Sequence, residues 1–113
     1  MEYADPEPGG IVYLIRDIMY CKPGKVRPLL EKFKQMNTMS EKVGMPRMRI
    51  MTDLCAEQYW TLVSEMEVQS LQAFEDMEKM QGSPEDMKEF ERIMSGYHDL
   101  VDHGKREIYR VEQ

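Results

Sequence analysis

The chain has only two cysteines, Cys21 and Cys55, far apart and in no Cys-X-X-Cys pair. That excludes a zinc-ribbon or dithiol redox motif and reads as reduced thiols in a cytoplasmic protein. No apolar run approaches the roughly 20 residues that span a bilayer, so no membrane partner is expected. Basic residues are outnumbered, 15 against 21 acidic, for a net charge of −6. Such a surface repels phosphate backbones and argues against nucleic acid. There is no glycine-rich phosphate loop, no G-x-S-x-G elbow and no paired-carboxylate motif. Residues 1–10, Met1-Glu-Tyr-Ala-Asp-Pro-Glu-Pro-Gly-Gly10, lack the basic and apolar regions of a signal or transit peptide. They read as a flexible N-terminal arm, and 11–113 as a single domain.

What the chain does have is a first strand, Ile11 to Tyr20, that is apolar on both parities. Val12, Leu14 and Ile18 share one side; Ile11, Tyr13, Ile15 and Met19 share the other. A strand wetted on one side alternates apolar with polar, so this one must be covered twice. The remaining pattern offers helices for one face only, and a second copy of the chain is the expected cover for the other. The first parity, with Arg16, is assigned to the helices. The second, with Tyr13 and Asp17, is assigned to the dimer face, where Asp17 would meet Arg49.

Cys21-Lys-Pro-Gly-Lys25 turns the chain. Val26, Leu29, Leu30, Phe33, Met36, Ser40 and Val43 then form one helical stripe, closed by Gly44 and Pro46. Arg47–Asp53 and Tyr59–Val68 alternate as a hairpin. Met48, Ile50, Trp60, Leu62, Met66 and Val68 point to the helices, and Arg47, Arg49, Val63 and Glu65 point away. Symmetric pairing would set Arg47 opposite Glu65. Ser70 caps a helix over Ser70–Met80, Gly82 breaks it, and Ser83 with Pro84 restarts it. That second helix runs past Gly96 to a stop at Gly104, and Arg106–Val111 is the last strand. The order is a ferredoxin-like split βαββαβ sandwich, α+β, with an antiparallel four-stranded sheet and helices on one face.

The first strand with Lys22-Pro-Gly-Lys25, the Arg47–Asp53 arm, Trp60–Glu67 and Gly104-Lys-Arg-Glu-Ile-Tyr109 together resemble the dimeric α/β-barrel superfamily. Within it the chain is similar to the NIPSNAP-like and antibiotic-biosynthesis-monooxygenase-like branches. The resemblance implies two sheets packed face to face into a barrel, with a ligand pocket between each sheet and its helices. Its members include cofactor-independent monooxygenases, haem-degrading enzymes, isomerases and proteins with no assigned activity. The haem-degrading pattern of Asn, Trp and His is met only by Trp60, so no cofactor is expected.

The residues that bear on function are few. Ligand-pocket candidates are Arg16, Tyr20, Trp60, Tyr97 and His98. Arg16 interrupts an apolar strand and would anchor an anionic or enolic group, unless it is a structural ion pair. The three aromatics would line an apolar cavity, or simply fill the core. Dimer-face candidates are Tyr13, Asp17, Arg49 and Val63. His98 and His103, with Asp99 and Asp102 between them, are zinc-ligand types. A spacing of five sets the histidines apart around a helix, so they read as a polar helix end and no metal is expected. The 12 methionines point to an adaptable interior, by packing or by ligand binding. The expected function is a homodimer that binds a small apolar or aromatic molecule, with cofactor-independent monooxygenase or isomerase chemistry as its enzymatic form. The alternative is a non-catalytic homodimeric assembly or regulatory module.

Overall fold

A computed structural model of the protein describes residues 11–79 and 83–112. The expected arm at 1–10 and the helix break at Gly82 lie outside the described residues. Eight elements follow one another: β1 (Val12–Cys21), α1 (Val26–Lys42), β2 (Arg49–Thr52), β3 (Thr61–Val68), α2 (Leu71–Lys79), α3 (Pro84–Met94), α4 (Tyr97–Leu100) and β4 (Val101–Val111). The strands form one antiparallel sheet in the order β2-β3-β1-β4.

The helices start where side chains satisfy their first amide groups. Ser83 Oγ accepts from the Asp86 amide, the Asp86 carboxylate accepts from the Ser83 amide, and Pro84 takes the first turn. Ser70 Oγ accepts from the Ala73 amide at the start of α2. The α1 stripe buries Leu29 and Phe33 against Met19 and Leu62 of the sheet. Phe74 of α2 packs on Ile15 and Val68. Phe90 and Ile93 of α3 close on Met39 of α1. Ile15, Leu29, Leu62 and Val68 are wholly buried. All of these contacts lie on one side of the sheet. The molecule measures 18 Å across its thinnest direction, room for one sheet and one helix layer and no more.

Two assignments are corrected. In β1 it is Tyr13, Ile15, Asp17 and Met19 that face the helices; Tyr13 packs with Ile15, Val68 and Phe74. Arg16 faces the open side. Both parities of β1 are apolar, so hydrophobicity does not choose the face; the partners of its two charges do. In the hairpin, Arg49 rather than Arg47 lies opposite Glu65, because the connection is longer than the expected Leu54–Gln58. Arg47 instead reaches Glu41 at 4.0 Å.

The last strand is also longer than its sequence pattern. Helix α3 ends at Met94, and Gly96 turns the chain in the left-handed region at φ 83°. Strand β4 begins at Val101 and runs along β1, passing through Gly104 rather than starting after it. It is an edge strand, so its polar residues stay solvated and mask the alternation. At Gly104 the two strands come very close: a Cβ there would lie 2.8 Å from the Ile18 carbonyl oxygen. Gly104→Ala is therefore expected to cost about 1–3 kcal/mol, the usual cost of overpacking against unyielding backbone. Urea denaturation checks it; an unchanged midpoint would mean that β1 and β4 separate freely.

Candidate functional site

On the helix side, the register of the sheet sets Asp17 of β1 beside Arg106 of β4. Arg106 donates to both carboxylate oxygens, from Nε to Oδ1 at 2.6 Å and from Nη2 to Oδ2 at 3.1 Å. This fork-on-fork geometry is the strong form of the pair. Arg106 Nη1 also donates to Glu78 Oε1 of α2 at 3.4 Å, and its guanidinium lies 4.9 Å from the Phe74 ring centre. The hydrogen bonds that Arg106 donates to Asp17 are the main cause raising its pKa above the ordinary arginine value.

This ion pair stands where two cavities meet. One, of about 350 Å³, lies between sheet and helices. Six of the chain's 12 methionines line it: Met36, Met45, Met48, Met66, Met77 and Met94, with Phe74 and Phe90. The other, of about 460 Å³, shares Asp17, Met94 and Arg106 and adds Phe33 and Tyr97. Gly104 contributes bare backbone to its lining. Volumes of this order accept a small organic molecule.

Two titratable groups that influence one another, Tyr97 and Cys21, have raised pKa values. Burial raises the Tyr97 hydroxyl, and the nearby Asp17 charge and Cys21 push it further the same way. Burial likewise raises the Cys21 thiol, helped by Asp53. Both groups thus hold their protons at neutral pH, which argues against a phenolate or thiolate nucleophile. Arg106 occupies both oxygens of Asp17.

The second distinctive surface is the open face of the sheet. Four charges of alternating sign cross all four strands in one row: Arg49, Glu65, Arg16 and Glu107. Glu65 is buried and accepts from Arg16 Nε at 2.6 Å and from Arg49 Nη2 at 3.2 Å. Arg16 Nη1 lies 3.7 Å from Glu107 and its guanidinium 5.3 Å from the Tyr109 ring centre. Beside this row runs one that is apolar on three strands, Met51, Val63 and Ile18, and ends in Lys105 of β4. On the other flank Leu14 pairs with Tyr109. Among the described residues no helix packs on this face.

The sequence-predicted residues are therefore divided. Tyr97 lines the second cavity. Arg16 lies on the opposite face of the sheet. Tyr20 is buried, has the parity of Arg16, and stacks its ring 4.7 Å from His103. Trp60 does not face the helices: it ends the hairpin loop in the left-handed region at φ 61°, 43% exposed, with its carbonyl accepting from the Cys21 amide. His98 is exposed on α4 and meets the Tyr97 ring edge-on at 5.4 Å. Asp17 belongs to the cavity and not to the open face, and its partner is Arg106 rather than Arg49. Arg49 and Val63 do lie on the open face. Arg106 was not singled out from sequence. Setting Ile15 against Ile108, both apolar on the inner parity, would have paired it with Asp17.

No family model matches the sequence, and no curated protein matches it. Its fold, however, is shared by solved structures. An uncharacterised NIPSNAP-like domain protein from Burkholderia xenovorans superposes with a TM-score of 0.67 at 13% identity, over 86% of this chain and 82% of that one. A NIPSNAP family protein from Agrobacterium tumefaciens gives 0.66 at 11% identity, over 87% and 90%. A protein from Bacteroides fragilis, described as dimeric, ferredoxin-like in fold and of unknown function, gives 0.59 at 13% identity, over 90% and 97%. Likeness at these identities carries the fold and not an activity. No helix among the described residues is long and apolar enough to cross a membrane.

Proposed function

We propose that the protein binds a small apolar or aromatic molecule in the methionine-lined cleft, and that it does so as a homodimer closed through the open sheet face. The observation that carries the binding reading is the cleft itself. Its walls are flexible thioethers and two phenyl rings, and its polar floor, Asp17 with Arg106, is already satisfied internally. Methionine side chains adapt to irregular apolar shapes at little cost. A fixed ion pair at one end gives a ligand one polar contact and an orientation. Cofactor-independent monooxygenation or isomerisation fits only a substrate that supplies its own carbanion or enolate, because Tyr97 and Cys21 keep their protons. That makes binding the primary reading.

The dimer is supported by the open face. Met51, Val63, Ile18, Leu14 and Tyr109 leave apolar area on a sheet whose other side is already packed. Such a patch calls for a partner surface, and a two-fold contact of the face with itself is the common solution. The described Bacteroides dimer of the same fold supports this reading.

Ligand binding is tested by thermal unfolding with naphthalenemethanol, an uncharged aromatic alcohol. At a hundredfold excess over Kd the protein should gain about 2.7 kcal/mol and a raised Tm. Met77→Trp, which fills the cleft, should abolish the shift while leaving the fold intact by circular dichroism. No shift in the native chain, or an equal shift in the variant, contradicts the assignment.

A further inference from the structure

The charge around the cleft narrows the ligand class. Building on the binding reading above, we infer that the preferred ligand is an apolar cation: an aromatic or aliphatic body bearing an ammonium group. Among the described residues that line the cleft, the charged ones are Asp17, Glu78, Glu91 and Arg106. Three carboxylates face one guanidinium, and that guanidinium is held by Asp17 and reaches Glu78. An excess of two negative charges therefore surrounds a cavity whose walls are thioethers and phenyl rings.

These groups are placed in layers. Asp17 is on the sheet, at the floor, with its side chain one-third exposed. Glu78 and Glu91 are exposed residues of α2 and α3, at the rim. A ligand that seats its apolar body among Met36, Met66 and Met94 thus leaves its head group at a rim that is acidic from two helices. A carboxylate head would meet like charges there, and Arg106 is already engaged. An ammonium head at that rim gains from Glu78 and Glu91. The whole-molecule charge of −6 works in the same direction.

Three probes with one aromatic body separate this inference from the reading it rests on: naphthylmethylamine, naphthalenemethanol and naphthoic acid, titrated calorimetrically at pH 7 and low salt. The amine should bind most tightly, and about tenfold or more tighter than the acid, with a gap that narrows as salt is added. Glu91→Gln should weaken the amine by about threefold, the scale of an exposed charge contact, and so narrow its advantage over the alcohol. If the three bind alike, or the acid binds best, the charge inference falls and the apolar cleft stands. If none binds, both fall.

Discussion

Replacing Glu65 with alanine is expected to destabilise the protein by about 2–3 kcal/mol, more than its place on an uncovered sheet face would imply. Glu65 is 7% exposed and sits between Arg16 and Arg49, accepting a hydrogen bond from each. Removing one member of a buried pair leaves the other charge uncompensated, at a cost of about 3–5 kcal/mol for full burial. The Arg16 side chain is 34% exposed, so water relieves part of that penalty. In a single subunit the Arg49 side chain is 75% exposed, and in the Val63→Asp background Arg49→Ala should cost under about 1 kcal/mol. The asymmetry between the two variants, measured in that background by urea denaturation at one protein concentration, is the signature. Equal small losses would mean that the row of charges is ornamental. The same carboxylate gives a pH dependence. Burial pushes Glu65 up, and the hydrogen bonds from Arg16 and Arg49 outweigh it, so its folded pKa lies below the ordinary glutamate value of 4.5. A depressed carboxylate stabilises fully above its unfolded pKa and loses that contribution as pH falls through the folded one. Stability of the native chain should therefore drop on acidification below about pH 4.5, and Glu65→Gln should flatten that part of the curve.

The second large effect is on assembly. Val63→Asp is expected to weaken self-association by at least about a hundredfold, because it desolvates a carboxylate at the centre of the proposed contact. Val63 lies between Ile18 and Met51 in the apolar row next to the charges, half-buried and open to solvent in a single subunit. In that subunit an aspartate meets water, so the fold should survive with unchanged circular dichroism. Val63→Thr, which keeps the β-branched shape, should weaken the contact far less. A Val63→Asp protein that still self-associates at low micromolar concentration would place the interface elsewhere.

Much of this fold could be read from residue order. The α1 stripe ends within a residue of the observed Val26–Lys42, because its apolar spacing, Gly44 and Pro46 agree. The Ser83-Pro84 start is equally local: the capping side chains lie within three residues of the groups they satisfy. What failed was non-local. Apolar residues on both parities of β1 announce two covered faces without saying which is which. That choice is made by Arg106, 89 residues from Asp17 in the chain. The start of β4 was hidden because an edge strand tolerates Asp102, His103 and Lys105 ahead of the expected start at Arg106. Trp60 looked like a core residue of β3, yet the long hairpin loop delivers it to the surface in a left-handed conformation. The cleft gathers methionines from α1, α2, α3, β3 and the segment before β2. Their abundance was visible; their convergence needed the packing of helices on the sheet.

The proposed dimer depends on a sheet whose second side the described residues of one subunit leave uncovered. Sedimentation equilibrium across the micromolar range tests that dependence most directly. A mass of twice the 13.4 kDa chain, falling to one chain for Val63→Asp, is the expected result. A native protein that sediments as a single folded 13.4 kDa subunit throughout the range would contradict it.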